Sequence, residues 1–259
     1  MGRHGAETIS NWAVDVTTRR LSAIPLMLRT ASDWRIERVG CVTSTQDVAR
    51  TRAPVIGPGG RLAVLAEEQT DGRGRHGRVW LSPRGGMYAS LLLVPSPLLF
   101  ARVGVAVARA VHACGVDCRL KWPNDVLVGG RKLAGILIEV AEGVAVAGIG
   151  VNIHVAPHGH ATCLAEEVAT PLAADVLLER ILHELTALDD ARVLDAYRSE
   201  CATLGRRVRV GIGDRQDAVL GEALDVDETG RLVVRSSEGK RVVVSAGDCI
   251  HLEGAQGGG

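Results

Sequence analysis

One segment, Gln69-Thr-Asp-Gly-Arg-Gly-Arg-His-Gly-Arg-Val-Trp80, constrains the local fold more than any other part of the chain. Its three glycines and three arginines lie within nine residues, from Gly72 to Trp80. Glycine permits positive φ angles and close approach of the backbone to a ligand, so this stretch is expected to be a loop. Each guanidinium presents a planar fork that matches a phosphate or a carboxylate. The segment therefore predicts a loop that wraps an anion.

The charge around this loop supports the same interpretation. Between Gly72 and Val116 there are six arginines and no Asp or Glu, although the whole chain has a formal net charge of zero. This imbalance predicts a local positive field suited to a small polyanion. A solvated surface loop that happens to be rich in arginine is the alternative.

A dinucleotide site must also be considered, because Gly72, Gly74 and Gly77 satisfy the pattern G-x-G-x-x-G. That fingerprint requires a helix directly after the glycines and an acidic residue about 20 positions further on. Here the segment from Met87 to Val94 has the composition of an apolar strand, and the acidic residue is missing. The sequence therefore argues against a Rossmann-type site.

Lysine is rare in this chain, since Lys121, Lys132 and Lys240 are the only lysines among 30 basic residues. A compact ammonium fits between two ligand oxygens where a broad guanidinium does not. Lys121 could simply face water at a strand end. Its neighbours Pro123, Asn124 and Asp125 favour a binding site instead, because the proline bends the chain and brings polar groups beside the ammonium.

Four segments, in this order and spacing, resemble those of the biotin protein ligases. They are Gly72-Arg-Gly-Arg-His-Gly-Arg-Val-Trp80, Lys121-Trp-Pro-Asn-Asp125, Lys132-Leu-Ala-Gly-Ile-Leu-Ile-Glu139 and Gly148-Ile-Gly-Val-Asn152. The resemblance spans roughly residues 36–252. It implies a ligase that activates biotin with ATP to biotinyl-5'-AMP and transfers it to a lysine of a biotin carboxyl carrier protein domain, part of acetyl-CoA carboxylase or a related enzyme. A lipoate or octanoate transferase or ligase on a similar scaffold is the alternative, but those relatives lack the Gly-Arg-Gly-Arg loop.

The resemblance also implies which residues bind the substrates. The expected biotin-binding residues are Ser44, Thr45, Gln46, Gln69, Gly72, Arg73, Gly74, Arg75, Lys121 and Gly135. The expected ATP-binding residues are Arg75, Arg78, Trp80, Lys121, Asn124 and Asn152. Lys121 and Arg75 are the expected catalytic residues, and Asp125 is expected to help hold Mg²⁺, with no tightly bound cofactor. At position 46 a glutamine stands where the family usually has asparagine, which shifts the amide by one methylene.

The predicted fold is α+β, with a mixed β-sheet flanked by helices. Ser44 is expected to start the first helix. A helix over about residues 99–114 carries Val103 and Val107 at helical spacing, which predicts a buried face, and further helices are expected over 174–188 and 191–204. The resemblance makes the catalytic domain similar to class II synthetases and the C-terminal part an SH3-like β-barrel. We expect a leader over residues 1–34, a catalytic domain over 35–204, the barrel over 205–253 and a flexible tail over 254–259. A barrel with its own core would be separable, so a fragment ending at residue 204 is expected to fold and to bind biotin.

Composition agrees with a cytoplasmic enzyme. The first 30 residues lack the pattern of a signal peptide, and the six cysteines form no C-x-x-C pair, as expected in a reducing compartment. His154, His158 and His160 could form a metal cluster, although they are expected in a surface loop. The segment before Trp34 is too short for a winged helix, so no binding to DNA is expected. We also expect no contact with a membrane, and a monomer or a weak homodimer.

Overall fold

The computed structural model describes residues 34–57, 59–157, 159–211 and 218–252. The predicted leader, apart from Trp34, and the predicted tail therefore lie outside the described residues. None of the helices in these ranges has the length and apolar character needed to cross a bilayer.

The larger of two sheets is mixed and has seven strands. The strands are β1 (Arg35–Val42), β2 (Leu62–Gln69), β3 (Gly86–Leu93), β4 (Arg119–Lys121), β5 (Asp125–Val128), β6 (Arg131–Ala141) and β7 (Val144–Asn152). Their order across the sheet is β1-β2-β3-β7-β6-β5-β4. β1 and β2 are parallel, and every other neighbouring pair is antiparallel. The α+β prediction with a mixed sheet is thus confirmed.

Helices cover both faces of this sheet. They are α1 (Thr45–Ile56), α2 (Leu99–His112), α3 (Leu164–Glu167), α4 (Ala174–Ala187) and α5 (Val193–Glu200). α1 covers a small apolar cluster that includes Leu62, Val64 and Val146. α2 and α4 pack against the other face, and α2 buries the predicted apolar positions, among them Val103 and Val107. Helices therefore cover part of each face of the sheet, with the larger core under α2.

Residues 205–211 and 218–252 include a second, antiparallel sheet, and this part of the chain is called here the C-terminal β-domain. Its strands are β8 (Arg207–Gly211), β9 (Ala218–Val226), β10 (Leu232–Ser236), β11 (Arg241–Val244) and β12 (Asp248–His251). Their order is β11-β10-β9-β8-β12. The apolar residues of these strands alternate with polar ones, as in Arg207-Val-Arg-Val-Gly211, so that one face is buried.

Two short strands near the cavity described below, β5 and β12, were not expected from the sequence. Each has only four residues, too few for a clear alternation of apolar and polar side chains. β5 forms because the chain turns back after Lys121 and pairs Asp125 with it across the β4–β5 hairpin. The helix expected over residues 191–204 is also shorter in the structure. A 3₁₀ turn, Asp190–Arg192, precedes α5, which ends at Glu200.

The C-terminal β-domain shares its core with the rest of the protein. Its buried residues, such as Val208 and Val234, belong to the same apolar cluster as Leu120 beneath α2. The indole Nε1–H of buried Trp122 donates a 3.0 Å hydrogen bond to the carbonyl of Gly230. A methyl group at Gly230 would lie 2.2 Å from the ring of Phe100, which shows how closely the two parts are packed. The sequence predicted a separate core for this domain, whereas in the structure its buried residues belong to the larger apolar cluster under α2.

We therefore expect a fragment ending at residue 204 to be less stable than the whole chain. Truncation after residue 204 would expose the apolar surface around Leu120 and Trp122. It would also leave the Trp122 Nε1–H without its acceptor. The measurement is urea unfolding followed by circular dichroism, with the full chain as the control. Cooperative unfolding of the fragment at the midpoint of the full chain would contradict this expectation.

Candidate active site

A cavity of about 430 Å³ opens between the two sheets. All the residues expected to bind substrates or Mg²⁺ line this cavity except Gly72 and Asn152. Its walls come from the start of α1, the residues after β2, the β4–β5 turn, β6, β7 and β12. The lining residues that the sequence did not single out for the site include Val79, Ala89, Lys132, Asp248, Cys249 and Ile250.

The floor of the cavity is a buried polar network at the start of α1. Ser44 caps the helix, its hydroxyl accepting from the backbone N–H of Gln46 at 3.3 Å. Gln69 Oε1 accepts from the Thr45 N–H at 2.9 Å, and Thr45 Oγ1 lies 2.8 Å from Ser90 Oγ. These contacts hold the side chains in place, because a polar group buried without a partner is costly.

Gln46 leaves one polar atom of this floor unpaired. Its Nε2–H donates to the carbonyl of Leu137 at 3.0 Å, while its Oε1 is buried and has no hydrogen-bond partner among the described residues. The side chain lines the cavity and is only 3% exposed. A ligand that donates an N–H here would satisfy this oxygen, so the longer amide of glutamine can still serve as an acceptor.

The segment from Gly72 to Trp80, called here the Gly-Arg loop, is a narrow hairpin-like excursion over the cavity. The Trp80 N–H donates to the Gly72 carbonyl at 2.8 Å, and the Gly74 N–H donates to the Arg78 carbonyl at 2.6 Å. His76 and Gly77 both have positive φ, at 56° and 69°. Gly72 lies at the buried base, where a methyl group would meet the Trp80 carbonyl at 2.3 Å. It therefore shapes the loop from beneath and does not line the cavity.

Each arginine of the Gly-Arg loop has a different partner. Arg73 makes two hydrogen bonds to the carboxylate of Asp47, at 2.7 and 3.2 Å. Arg75 Nη1–H donates to Asn124 Oδ1 at 3.0 Å and to the Gly247 carbonyl at 3.2 Å. Arg78 pairs with Asp248 of β12 at 2.6 Å. The loop is thus attached to α1 on one side and to the C-terminal β-domain on the other.

Arg75 differs from the other two arginines because no carboxylate of the described residues lies within ion-pair distance of it. Burial lowers the pKa of its guanidinium, which means that its charge is poorly solvated. The electrostatic free energy gained when a phosphate or a carboxylate binds is larger for a poorly solvated cation than for an exposed one. Arg75 is therefore well suited to bind an anionic ligand.

Two lysines line the cavity, in different surroundings. Lys132 Nζ lies 2.7 Å from Asp125 Oδ1 and 5.3 Å from the centroid of the Trp80 ring. No carboxylate of the described residues is within 4.0 Å of Lys121, which lies on the side of Cys249 in β12. Lys121 thus keeps an uncompensated charge for a ligand. The rarity of lysine pointed to both residues, but only Lys121 was assigned to the site from the sequence.

The described residues offer little for a metal ion. They contain no group of three or more His, Cys, Asp or Glu placed to hold one. Asp125 lines the cavity beside Lys132, so it could contribute one carboxylate at most. His158 lies outside the described residues, and its role in a cluster with His154 and His160 stays a hypothesis. A Mg²⁺ ion here would have to take most of its ligands from water and phosphates.

Asn152 lies at the end of β7, beyond the cavity wall. Its Nδ2–H groups donate to the carbonyls of Thr162 at 3.0 Å and Lys132 at 3.4 Å. The side chain is 3% exposed and ties the start of β6 to the segment after β7. In this arrangement Asn152 supports the backbone that carries Lys132.

A half-buried histidine, His251, lies behind the β4–β5 turn. The hydroxyl of Thr203 accepts from the Trp122 N–H at 3.0 Å and lies 3.0 Å from His251 Nε2. Since the Thr203 oxygen accepts from Trp122, its hydroxyl proton is free to be donated to His251 Nε2. A neutral imidazole can accept this hydrogen bond at Nε2. Burial, followed by the charges of Lys121 and Arg206, lowers the pKa of His251 from 6.5 to about 4. The neutral ring is therefore part of the folded structure.

This shift predicts a loss of stability in acid. Since the pKa of His251 is lower in the folded chain than in the unfolded one, the unfolded chain takes up this proton first as the pH falls. The stability that neutral His251 contributes is lost as the pH falls from 6.5 to about 4. We expect the midpoint of thermal unfolding to fall less steeply over this range in His251→Asn than in wild type. The control is His183→Asn, because His183 is exposed. If the unfolding midpoint fell with pH equally steeply in His251→Asn and in His183→Asn, the assignment would be contradicted.

Two family models match this chain. The model described as the Biotin/lipoate A/B protein ligase family matches residues 39–155. The model described as the Biotin protein ligase C terminal domain matches residues 203–252. The first match includes the cavity walls that come from α1, the Gly-Arg loop and the large sheet, and the second includes β12.

Related proteins with curated names are also similar over most of the chain. A biotin--[acetyl-CoA-carboxylase] ligase of Mycobacterium tuberculosis is 35% identical over 248 residues, covering 87% of this chain and 92% of that protein. The enzyme of the same name from Paracoccus denitrificans is 33% identical over 235 residues, covering 77% of this chain and 95% of that protein.

Solved structures show the same fold. The biotin protein ligase of Aquifex aeolicus in complex with biotin and ATP has a TM-score of 0.72 and 26% identity, covering 84% of this chain and 99% of that one. The ligase of Leishmania major in complex with biotinyl-5-AMP has a TM-score of 0.60 and 29% identity, covering 82% of this chain and 98% of that one. With the cavity, the two matching models and these relatives taken together, the chain belongs to the biotin protein ligase family.

Proposed function

We propose that this chain activates biotin with ATP and transfers it to a lysine of a biotin carboxyl carrier protein domain. The observation that carries the proposal is the cavity itself, which combines a buried polar floor with five cationic side chains in its lining. Those cations are Arg73, Arg75, Arg78, Lys121 and Lys132. The related enzymes from M. tuberculosis and P. denitrificans are named for biotin and for acetyl-CoA carboxylase, which supports this choice of substrate and acceptor.

In the first step, an oxygen of the biotin carboxylate attacks the α-phosphorus of ATP and pyrophosphate leaves. The enzyme needs no nucleophile of its own, but it must bring two anions together. At a separation of about 4 Å their repulsion costs about 4 kcal/mol at an effective dielectric of 20. Lys121, which has no carboxylate partner among the described residues, and Arg75 are proposed to offset this repulsion.

The biotin end of the cavity is proposed to be the floor at the start of α1. The bicyclic ring would meet the buried acceptors and donors there, with the Gly-Arg loop closing over it. The residues proposed for biotin are those expected from the sequence, namely Ser44, Thr45, Gln46, Gln69, Gly72, Arg73, Gly74, Arg75, Lys121 and Gly135, of which Gly72 acts by shaping the loop.

The nucleotide is proposed to lie at the other end, between the Gly-Arg loop and β12. Trp80 offers a flat ring to the adenine, and Arg78 offers a charge that Asp248 now neutralises. Asn124 accepts from Arg75 and so holds it near the phosphates, while Asn152 is proposed to act through Lys132. Mg²⁺, when bound with ATP, would neutralise the phosphates, and Asp125 is the residue proposed to hold it through water.

In the second step, the carrier's lysine amine attacks the acyl carbon of biotinyl-5'-AMP, and AMP leaves. A lysine has a pKa of about 10.4, so only about one in 10³ is deprotonated at neutral pH. Among the described residues, Asp125 and Asp248 are the carboxylates that line the cavity, and they are the candidates to take up the proton. We further propose that the enzyme is cytoplasmic and is a monomer or a weak homodimer. We also propose that it does not bind DNA, which agrees with its formal net charge of zero.

Isotope exchange between pyrophosphate and ATP tests the first step. The exchange should require biotin and should not be supported by lipoate. Transfer is tested with a biotin carboxyl carrier domain and with the same domain after its acceptor lysine is changed to arginine. Exchange that depends on lipoate and not on biotin would refute the proposed substrate.

A further inference from the structure

Two glycines lie directly opposite each other on the cavity face of the large sheet. Gly135 of β6 pairs with Gly150 of β7 in antiparallel register. Side chains at opposed positions of an antiparallel pair point to the same face of the sheet. This pair therefore leaves a flat, side-chain-free area, called here the glycine platform, on the face that lines the cavity.

The indole of Trp80 fills the space above the glycine platform. A methyl group built on Gly150 would lie 2.4 Å from both Cε2 and Nε1 of the indole. One built on Gly135 would lie 2.9 Å from its Cζ3. Carbon atoms in contact prefer a separation of about 3.5–4.0 Å, so a side chain at either position would push the ring away from the sheet by roughly 0.5–1.5 Å.

No hydrogen bond fixes the indole in this position. Trp80 Nε1 is buried and has no acceptor among the described residues. The ammonium of Lys132, at 5.3 Å from the ring centroid, is the charged group placed over the ring. The placement of the ring therefore depends on how closely it can approach the backbone of β6 and β7, and glycine sets that distance.

We propose that Gly135 and Gly150 are positioning residues for Trp80, and that they fix the height at which its indole meets the adenine of ATP. The proposal extends the proposed function, because it assumes that Trp80 contacts the nucleotide. For Gly135, which is also proposed above for biotin, it adds a role that acts through the indole of Trp80. The alternative for both glycines is that the bare backbone faces the ligand directly.

The two roles differ in how the glycine and Trp80 depend on each other. If the glycine acts through the indole, a methyl group at position 150 is harmful only while the indole is present. If the glycine faces the ligand directly, the methyl group is harmful in either case. A double-mutant cycle separates these outcomes.

The experiment measures the Kd for ATP by calorimetry in four proteins: wild type, Gly150→Ala, Trp80→Ala and the double variant. Stacking of a base on an aromatic ring contributes enough that we expect Gly150→Ala to weaken ATP binding by about tenfold. In the Trp80→Ala background, adding Gly150→Ala is expected to change the Kd by less than about twofold, on the additivity scale of such cycles.

Gly148 provides a matched control in the same strand. The three atoms nearest to a methyl group there would all belong to Gln46, the first being Nε2 at 3.0 Å. Whatever Gly148→Ala costs in ATP binding should therefore be the same with and without Trp80. A loss in Gly150→Ala that persists in the Trp80→Ala background would overturn the proposal.

Folding of the variants is checked by thermal unfolding. If Gly150→Ala alone does not fold, the double variant becomes the test, because removal of the indole also removes the clash. The proposal then requires the double variant to fold and to bind ATP as Trp80→Ala does, and its failure to fold would overturn the proposal. If the wild-type protein showed no biotin-dependent pyrophosphate exchange, the proposed function would be refuted. The double-mutant cycle in ATP binding would still test the positioning role.

Discussion

Lys121→Ala is expected to lower the rate of biotin-dependent pyrophosphate exchange by about 10²- to 10³-fold, the usual effect of removing one preorganised charge at a developing anion. Lys121 lines the cavity without a carboxylate partner among the described residues. It sits in a solvated cleft, so its loss should change stability little. Lys121→Arg should also be slow, because a guanidinium is broader than an ammonium.

Lys132→Ala serves as the comparison, and Lys240→Ala as the control. Lys132 is paired with Asp125, and Lys240 is an exposed lysine of the C-terminal β-domain that contacts Glu238. Because Asp125 offsets the charge of Lys132, we expect Lys132→Ala to lower exchange less than Lys121→Ala does, and Lys240→Ala to match wild type. If Lys121→Ala stays within about tenfold of wild type while Lys132→Ala does not, the α-phosphate is neutralised mainly by Lys132.

Arg75→Gly is expected to release the reaction intermediate. An acyl adenylate reacts with any amine, so it must be retained until the carrier's lysine arrives. Arg75 reaches from the Gly-Arg loop to Asn124 and Gly247 across the cavity, where it can close over the phosphate of the adenylate. A hydrogen bond to a charged group contributes about 1.5–3 kcal/mol, which corresponds to roughly 10- to 150-fold in retention.

The measurement for Arg75→Gly is biotin transfer to a bystander protein such as serum albumin, alongside transfer to the carrier. Synthesis of the adenylate should continue with weaker affinity for biotin, while labelling of the bystander rises. Arg84→Gly is the control, since Arg84 is exposed and pairs with Glu67 outside the cavity. Loss of synthesis with no gain in bystander labelling would place Arg75 in the chemical step and refute retention as its role.

Local patterns predicted much of the fold and of the candidate site. The helical spacing of Val103 and Val107 identified the buried face of α2, and Ser44 identified the start of α1. The loop that contains Arg75 was expected because glycine and arginine have strong individual preferences for conformation and for ligand type. In each case the signal lies within a few residues of the element that it predicts.

Features that depend on distant pairing were not predicted. Nothing in the residues around Asp248 indicates that β12 would reach the Gly-Arg loop, because that contact depends on how two sheets pack. The place of Asn152 also depends on a contact with a segment that the local sequence does not indicate. Its place in the sequence suggested the cavity, but the segment that carries Thr162 folds over it. The role of Gly150 beneath Trp80 required the register of β6 and β7 to be known.

The contribution of β12 to the cavity has a consequence for the protein during its synthesis. Ser44 and Ile250 line one cavity although about 200 positions separate them along the chain. A chain leaves the ribosome from its N-terminus at about 5–20 residues per second. Until β12 has emerged, a nascent chain has the floor and the Gly-Arg loop but lacks the groups that anchor Arg78. We therefore expect ribosome-bound chains that stop before residue 248 to form no biotinyl adenylate, so that a reactive acyl group is produced only by chains translated through β12.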